Sequence, residues 1–330
     1  MGRNEEIEMK KLFIVGMPRS GTKLLRDLCN GHSNVDLLKM ETHFLPFLIN
    51  KFGSPEQDAF ADEHNEAIFQ QLIASPFHWN MKEDGKNPPH EELKSAIRTQ
   101  RWSKLFESIM NLYGEEAKKS KTIIGDKTPG YINHIDLIKR LYPDAKILVL
   151  VRDPRDYVLS VKKTWGKNIF RAAHVWNHTM KRCLRTTDQY QGDIHYVQYE
   201  ELLDEPEKTL MSICEFLDIN FESGMLNLER SMENYGDAKG QKKILKGNHG
   251  KYKEQLSEKD IRTLEEITFE SSTKWYQPAY AARERKLTSG QLKWYKLKDG
   301  FNSARFHVRD KGMMEGLSYF IKLNKVSSWR

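Results

Sequence analysis

Three short apolar runs stand out from a polar, mostly helical background in this chain. They are residues 12–15 (Leu-Phe-Ile-Val), 146–151 (Lys-Ile-Leu-Val-Leu-Val) and 194–198 (Ile-His-Tyr-Val-Gln). Each is brief, nearly continuous and bounded by turn-formers, the pattern of strands buried on both faces. After the first run the chain turns at Gly16-Met-Pro-Arg-Ser-Gly-Thr22, and a helical pattern begins with Leu24, Leu25 and Leu28 on one face. After the second, Asp153 is placed as an N-cap, Pro154 as the first helical residue and Asp156 two positions on, so a helix starts abruptly at the strand's end. Weaker strand signals lie at residues 35–38 and 123–124. Residues 63–73 and 91–113 have helical rhythm, split by Asn87-Pro88-Pro89, and another helix is expected from about Pro206. Strands alternating with helices predict an α/β domain of three layers, with a central parallel sheet and helices on both faces.

The first turn carries candidate chemistry. A strand, a Gly-containing turn and a helix start aim backbone N–H groups at an anion. Gly16 and Gly21 have the spacing of a Walker A loop, but Thr22-Lys23 follows where that motif needs Lys then Ser/Thr. The basic residue sits inside the loop, at Arg19, whose fixed fork of donors suits phosphate or sulfate oxygens. Ser20 and Thr22 add hydroxyls, and the N–H groups from Ser20 through Gly21 to Lys23 are expected to be unpaired at the helix start. The G-x-G-x-x-G dinucleotide pattern is absent.

The second turn offers a complementary pair. Ser160 lies two turns into the helix and leans back toward its start, where Arg152 leaves the strand. An Arg and a Ser converging there could hold a second phosphate; the alternative is an Arg152–Asp156 salt bridge with Ser160 on the helix surface. The crevice beyond the carboxyl ends of the strands is the expected ligand site of such a sheet.

Together these motifs resemble those of the sulfotransferases that use 3′-phosphoadenylyl sulfate (PAPS). Residues 16–22 are similar to that family's 5′-phosphosulfate loop, in which the residue at Arg19 bridges the donor's phosphate and the transferring sulfonate. The stretch from Arg152 to Ser160 resembles its 3′-phosphate motif. Tyr199, in Tyr-Glu-Glu-Leu, matches the position where a tyrosine approaches the adenine. Residues 246–256, beginning Lys246-Gly247, resemble the basic loop that closes over the 3′-phosphate, although flanking residues depart from the usual pattern. The resemblance covers residues 11–48 and 122–270. It implies a P-loop-like sulfotransferase fold, PAPS as co-substrate and no required metal.

Sulfonate transfer needs a base for the acceptor hydroxyl and cations for the moving charge. Glu41, in Met-Glu-Thr-His-Phe, resembles the catalytic glutamate of the family's bacterial and Golgi-type branches. His43 is the competitor, since the cytosolic branch uses histidine and its ordinary pKa lies nearer neutrality. A carboxylate base works best with its pKa raised by burial. Lys127, in Asp-Lys-Thr-Pro, is placed to stabilise developing charge; its alternative is a solvated lysine in a turn.

Composition bounds the remainder. Three scattered cysteines (Cys29, Cys183, Cys214), no signal-like leader and no long apolar run point to a cytoplasmic enzyme. Residues 281–330 hold 12 Lys/Arg against 4 Asp/Glu, while the rest of the chain holds 41 against 42. This basic, aromatic-rich extension (Trp294, Tyr295, Phe301, Phe306, Tyr319, Phe320, Trp329) either meets a membrane surface peripherally or packs back on the domain. No nucleic-acid recognition module is evident. The expected organisation is a sulfotransferase domain over 1–280, with residues 50–120 as a helical cap over the acceptor site, and the extension over 281–330. Trp79 and Trp102 are candidates for a sugar platform or for the core. His174 and His178, four apart, are too few for a metal site. The favoured reading is sulfonate transfer to an acceptor hydroxyl of a saccharide or glycolipid. A P-loop-type kinase and a non-catalytic nucleotide-binding adaptor are the rivals.

Overall fold

The computed structural model describes residues 9–54, 56–115, 121–228, 240 and 242–313. Five strands, β1 (Lys10–Gly16), β2 (Val35–Leu37), β3 (Ile123–Lys127), β4 (Lys146–Val151) and β5 (Ile194–Gln198), form one sheet in the order β2-β3-β1-β4-β5. Every pairing is parallel. All five carboxyl ends therefore open on one edge, and the turns after β1 and β4, and after β2 and β3, become pairwise neighbours.

Between and after the strands run α1 (Thr22–Asn30), α2 (Phe44–Phe52), α3 (Asn65–Ile73), α4 (Pro76–Glu83), α5 (His90–Ile97), α6 (Trp102–Tyr113), α7 (Ile135–Leu141), α8 (Pro154–Trp165) and α9 (Ile169–Thr187). They are followed by α10 (Tyr199–Asp204), α11 (Pro206–Leu217), α12 (Tyr252–Gln255), α13 (Glu258–Ser272) and α14 (Ser289–Lys311). The period of two along β1 separates the core into two parts. Leu12 and Ile14 pack with Leu24, Leu25 and Leu28 of α1 and with α11, whereas Phe13 and Val15 pack with α2, α6, α8 and α9. The sheet is thus covered on both faces, as the apolar runs require.

The strands fall where the apolar runs predict, with β1 beginning two residues earlier. Several helix boundaries differ. The region 63–113 divides into four helices, because Ser75-Pro76 and Pro89 restart the chain; the Ser75 hydroxyl caps α4 by accepting from the His78 amide. Near Tyr131 a 3₁₀ turn (Pro129–Asn133) precedes α7, and α10 intervenes before the helix at Pro206. Asp153 caps α8 through the Arg155 amide, with Pro154 at its first position.

Residues 50–113 share the sheet's own core. Trp102, Phe106 and Phe77 pack around Phe44 and Phe13. Part of the C-terminal extension also packs on the domain, as α14 lies against α8 and α9. Tyr319, Phe320 and Trp329 lie outside the described residues.

Candidate active site

The loop after β1 adopts the anion-cradle form. Arg19 and Gly21 both have left-handed backbones (φ 73° and 97°). At Gly21 glycine is required twice over, since a Cβ there would lie 2.5 Å from the Tyr199 ring. No side chain caps α1. The Ser20 amide, expected to be unpaired, instead donates to the Met17 carbonyl at 3.1 Å and tightens the loop, and the helix dipole favours negative charge at the start of α1. Ser20 is fully buried, and its hydroxyl has no hydrogen-bond partner among the described residues.

Arg152 meets this loop from the end of β4. Its Nη1 donates to the Arg19 carbonyl at 2.9 Å, and its guanidinium sits 4.5 Å from the centroid of the Tyr199 ring. Its Nε is buried with no hydrogen-bond partner among the described residues. Tyr199 is itself buried, so it supports Gly21 and Arg152 from behind rather than offering an open face.

The alternative of an Arg152–Asp156 salt bridge is not what forms. Asp156 accepts from the Gly250 and Tyr252 amides, the latter at 3.0 Å, and so ties the 246–252 loop to the start of α8. A second anchor is Asp204 at the end of α10, which accepts from the Gly247 amide (2.9 Å) and pairs with His249 (2.7 Å). Lys246 is exposed beside this anchor, and Ser160 is half-buried on α8. Of the two arginines in the motif, Arg155 has a structural partner set: Asp153 and Glu265, with Nη1 2.7 Å from Glu265 Oε1. Asp153, the first carboxylate after β4, is held by Arg155 and by the α8 cap, unlike the free carboxylate a kinase would need for magnesium.

The turns after β2 and β3 build the other half. Lys127, buried, places Nζ 2.6 Å from Glu41 Oε1. His43 Nε2 lies 2.8 Å from Glu41 Oε2, with His43 in a left-handed backbone (φ 49°) that starts α2. Burial alone would raise the Glu41 pKa. The Lys127 ammonium, then the His43 contact, outweigh it and hold the carboxyl at about 2. The expectation of a base raised by burial is thus reversed in this state, because the cation lies in direct contact. Beneath the pair, Thr42 Oγ1 bonds the Tyr131 hydroxyl (2.6 Å) and its amide donates to Thr128 Oγ1 (2.9 Å). Asp126 is wholly buried, and burial pushes it up to about 6.

Arg19, Gly21, Thr22, Lys23, Glu41, His43 and Lys127 line one cavity of about 790 Å³. Its remaining walls include Phe47, Asn50, Asn133, Trp165, Val175 and Arg182. Among the described residues of the segment 50–120, only Asn50 lines it. Trp102 is buried, with Nε1 donating to the Ala59 carbonyl, and Trp79 is exposed away from the cavity, so neither is a platform there. Val175, Thr179 and Arg182 were hidden in the sequence. Their i, i+4, i+7 spacing marks one face of α9, beside the more conspicuous His174 and His178, which do not line the cavity. Among the described residues, no group of three or more His, Cys, Asp or Glu is arranged to hold a metal ion.

A buried parallel sheet, an uncapped helix start over a Gly loop, and a lysine–glutamate pair in the same crevice define an α/β transferase of the P-loop-like kind. The chain belongs to the sulfotransferase family: residues 11–223 match that family's model. It is 25% identical over 223 residues to a putative protein-tyrosine sulfotransferase of Caenorhabditis briggsae, covering 66% of this chain and 68% of that one. It is 27% identical over 227 residues to protein-tyrosine sulfotransferase A of Caenorhabditis elegans, covering 66% and 52%. The match thus spans about half to two-thirds of these relatives' length. Among solved structures, the sulfotransferase domain of the Synechococcus PCC 7002 olefin synthase is 19% identical, with a TM-score of 0.49, covering 90% of this chain and 97% of that one. No helix among the described residues is long and apolar enough to cross a membrane.

Proposed function

We propose that this protein transfers a sulfonate group from PAPS to an acceptor hydroxyl. The observation that carries the reading is the junction of two half-sites at one sheet edge. Arg152 grips the Arg19 carbonyl on one side, and Glu41 and Lys127 share a cavity with Arg19 on the other.

The residues present fit the donor. The buried Ser20 hydroxyl and Arg152 Nε, both without a hydrogen-bond partner among the described residues, the start of α1 and the space kept by Gly21 make up an anion cradle. Arg19, Ser20, Gly21, Thr22 and Lys23 would hold the 5′-phosphosulfate. Arg152, Ser160 and the loop bearing Lys246 and Gly247 would hold the 3′-phosphate, with Tyr199 backing Arg152. When bound, PAPS supplies the sulfonate and a phosphate leaving group.

Glu41 takes the acceptor proton. At a pKa of about 2 it is ionised but weakly basic, because Lys127 neutralises it. Lys127 Nζ turns from Glu41 toward the transferring group, where it and Arg19 offset the developing charge. That exchange removes the largest influence lowering the Glu41 pKa and makes the carboxylate a stronger base when it is needed. His43 keeps the carboxylate oriented through Oε2.

The acceptor wall combines Trp165 and Phe47 with Asn50 and Asn133, which suits a saccharide or glycolipid hydroxyl. A tyrosyl hydroxyl is the second reading, favoured by the named relatives. A reducing, cytoplasmic setting is supported by Cys29, Cys183 and Cys214, all buried and none of them in a disulfide. The test is transfer from labelled PAPS to saccharide, lipid and tyrosyl-peptide acceptors. Labelled product is expected. Preference for magnesium ATP over adenosine 3′,5′-bisphosphate in binding would overturn the reading in favour of a kinase.

A further inference from the structure

α14 presents two different faces. One is docked: Asp299 is buried, accepting the Asn168 amide at 2.7 Å and pairing with Arg171 at 2.6 Å. Asn302 Nδ2 donates to the Gly166 carbonyl at 2.9 Å, and the Tyr295 ring meets Phe170. The helix is therefore fixed to the α8–α9 junction, the stretch of chain between Trp165 and Val175 in the cavity wall.

The opposite face is apolar and open. Trp294, Leu297 and Phe301, at i, i+3 and i+7, are 57%, 70% and 72% exposed. On a helix whose other side is already packed, this stripe stays open to solvent among the described residues. By helical spacing, Lys298 and Arg305 flank it on one side and Lys293 on the other, with Lys296 a further step round toward the docked side; all four are exposed. Lys298 Nζ lies 5.1 Å from the centroid of the Trp294 ring. An apolar stripe with an aromatic residue and a lysine border is the arrangement of a helix lying in a bilayer interface.

We propose that this face of α14 seats the protein peripherally on an anionic lipid surface. Trp294, Leu297 and Phe301 enter the headgroup–acyl boundary, and the flanking cations meet lipid phosphates and carboxylates. Charge selects this occupant over others. A second copy would bring the same basic segment, 12 Lys/Arg against 4 Asp/Glu, against itself. Nucleic acid would satisfy the lysines and leave the stripe in water.

The test is co-sedimentation of the full chain with vesicles of phosphatidylserine in phosphatidylcholine, and of phosphatidylcholine alone, at low and high salt. Binding to the anionic vesicles is expected, weakening as salt screens the charges. Leu297→Glu/Phe301→Glu should weaken it by about tenfold or more. Lys293→Glu/Lys296→Glu/Lys298→Glu should abolish the preference for phosphatidylserine. Both variants alter exposed positions, and circular dichroism checks that the fold is kept. The proposal fails if the wild-type chain does not sediment with anionic vesicles. It fails if Leu297→Glu/Phe301→Glu binds as well as wild type. It also fails if that variant instead converts a vesicle-indifferent dimer into a monomer, which would make the stripe a self-association face. Transfer to soluble acceptors is a separate readout, so failure here leaves the sulfotransferase reading standing.

Discussion

Lys127 Nζ and Glu41 Oε1 stand 2.6 Å apart, and that contact sets the charge state of the proposed base. Replacing Lys127 by Met removes the ammonium and leaves burial, which raises the Glu41 pKa, opposed chiefly by His43. The acidic limb of the pH profile of kcat/KM should therefore move to higher pH in Lys127→Met, with kcat reduced as charge stabilisation is lost. Stability should respond in the same sense. A carboxyl held at about 2 in the folded protein contributes stability above the unfolded value of 4.5 that is lost as pH falls toward 2. Lys127→Met should lose less stability across that window, read by denaturant titration at several pH values.

Asp126 behaves in the opposite way. It is raised from 3.8 to about 6 by burial, so the folded state binds more protons than the unfolded state between those values. Stability therefore falls as pH rises through this window, by about 3 kcal/mol across it. Asp126→Asn should be more stable than wild type at neutral pH, with the difference closing near pH 4. Urea unfolding at the two ends of the window checks this.

Arg152 and Arg155, three residues apart, should fail differently. Arg152→Ala removes a guanidinium whose buried Nε has no hydrogen-bond partner among the described residues and which is proposed to hold the 3′-phosphate. A hydrogen bond to a charged group is worth about 1.5–3 kcal/mol, so binding of adenosine 3′,5′-bisphosphate should weaken roughly 10- to 100-fold. Arg155→Ala instead leaves Asp153 and Glu265 buried without their cation. Such a loss costs about 3–5 kcal/mol, so the Tm should drop. Calorimetry of binding and of unfolding separates the two outcomes.

Local signals made much of this architecture legible. The strand runs, the Asp153-Pro154 helix start and the Gly16–Gly21 loop are set by neighbours in sequence, and they appear as expected. What was hidden depends on contacts across the chain. Asp156 looked like a partner for Arg152, yet it anchors a loop nearly a hundred residues away. Glu41 was legible as a base candidate, but its depressed pKa was not, because Lys127 approaches from a different strand. The cavity wall on α9 escaped notice since Val175 and Thr179 are ordinary residues whose role comes only from the direction their helix faces. Trp79 and Trp102 left a platform and a core role open in sequence; Trp102 is buried in the core, and Trp79 is exposed away from the cavity.

The central claim is that Glu41 accepts the proton from the acceptor hydroxyl. The direct measurement is single-turnover transfer from labelled PAPS by Glu41→Gln, beside calorimetric binding of adenosine 3′,5′-bisphosphate. The account predicts that transfer falls roughly 10²- to 10⁴-fold, the usual contribution of a general base, while nucleotide affinity is retained. Transfer at the wild-type rate by Glu41→Gln would contradict it.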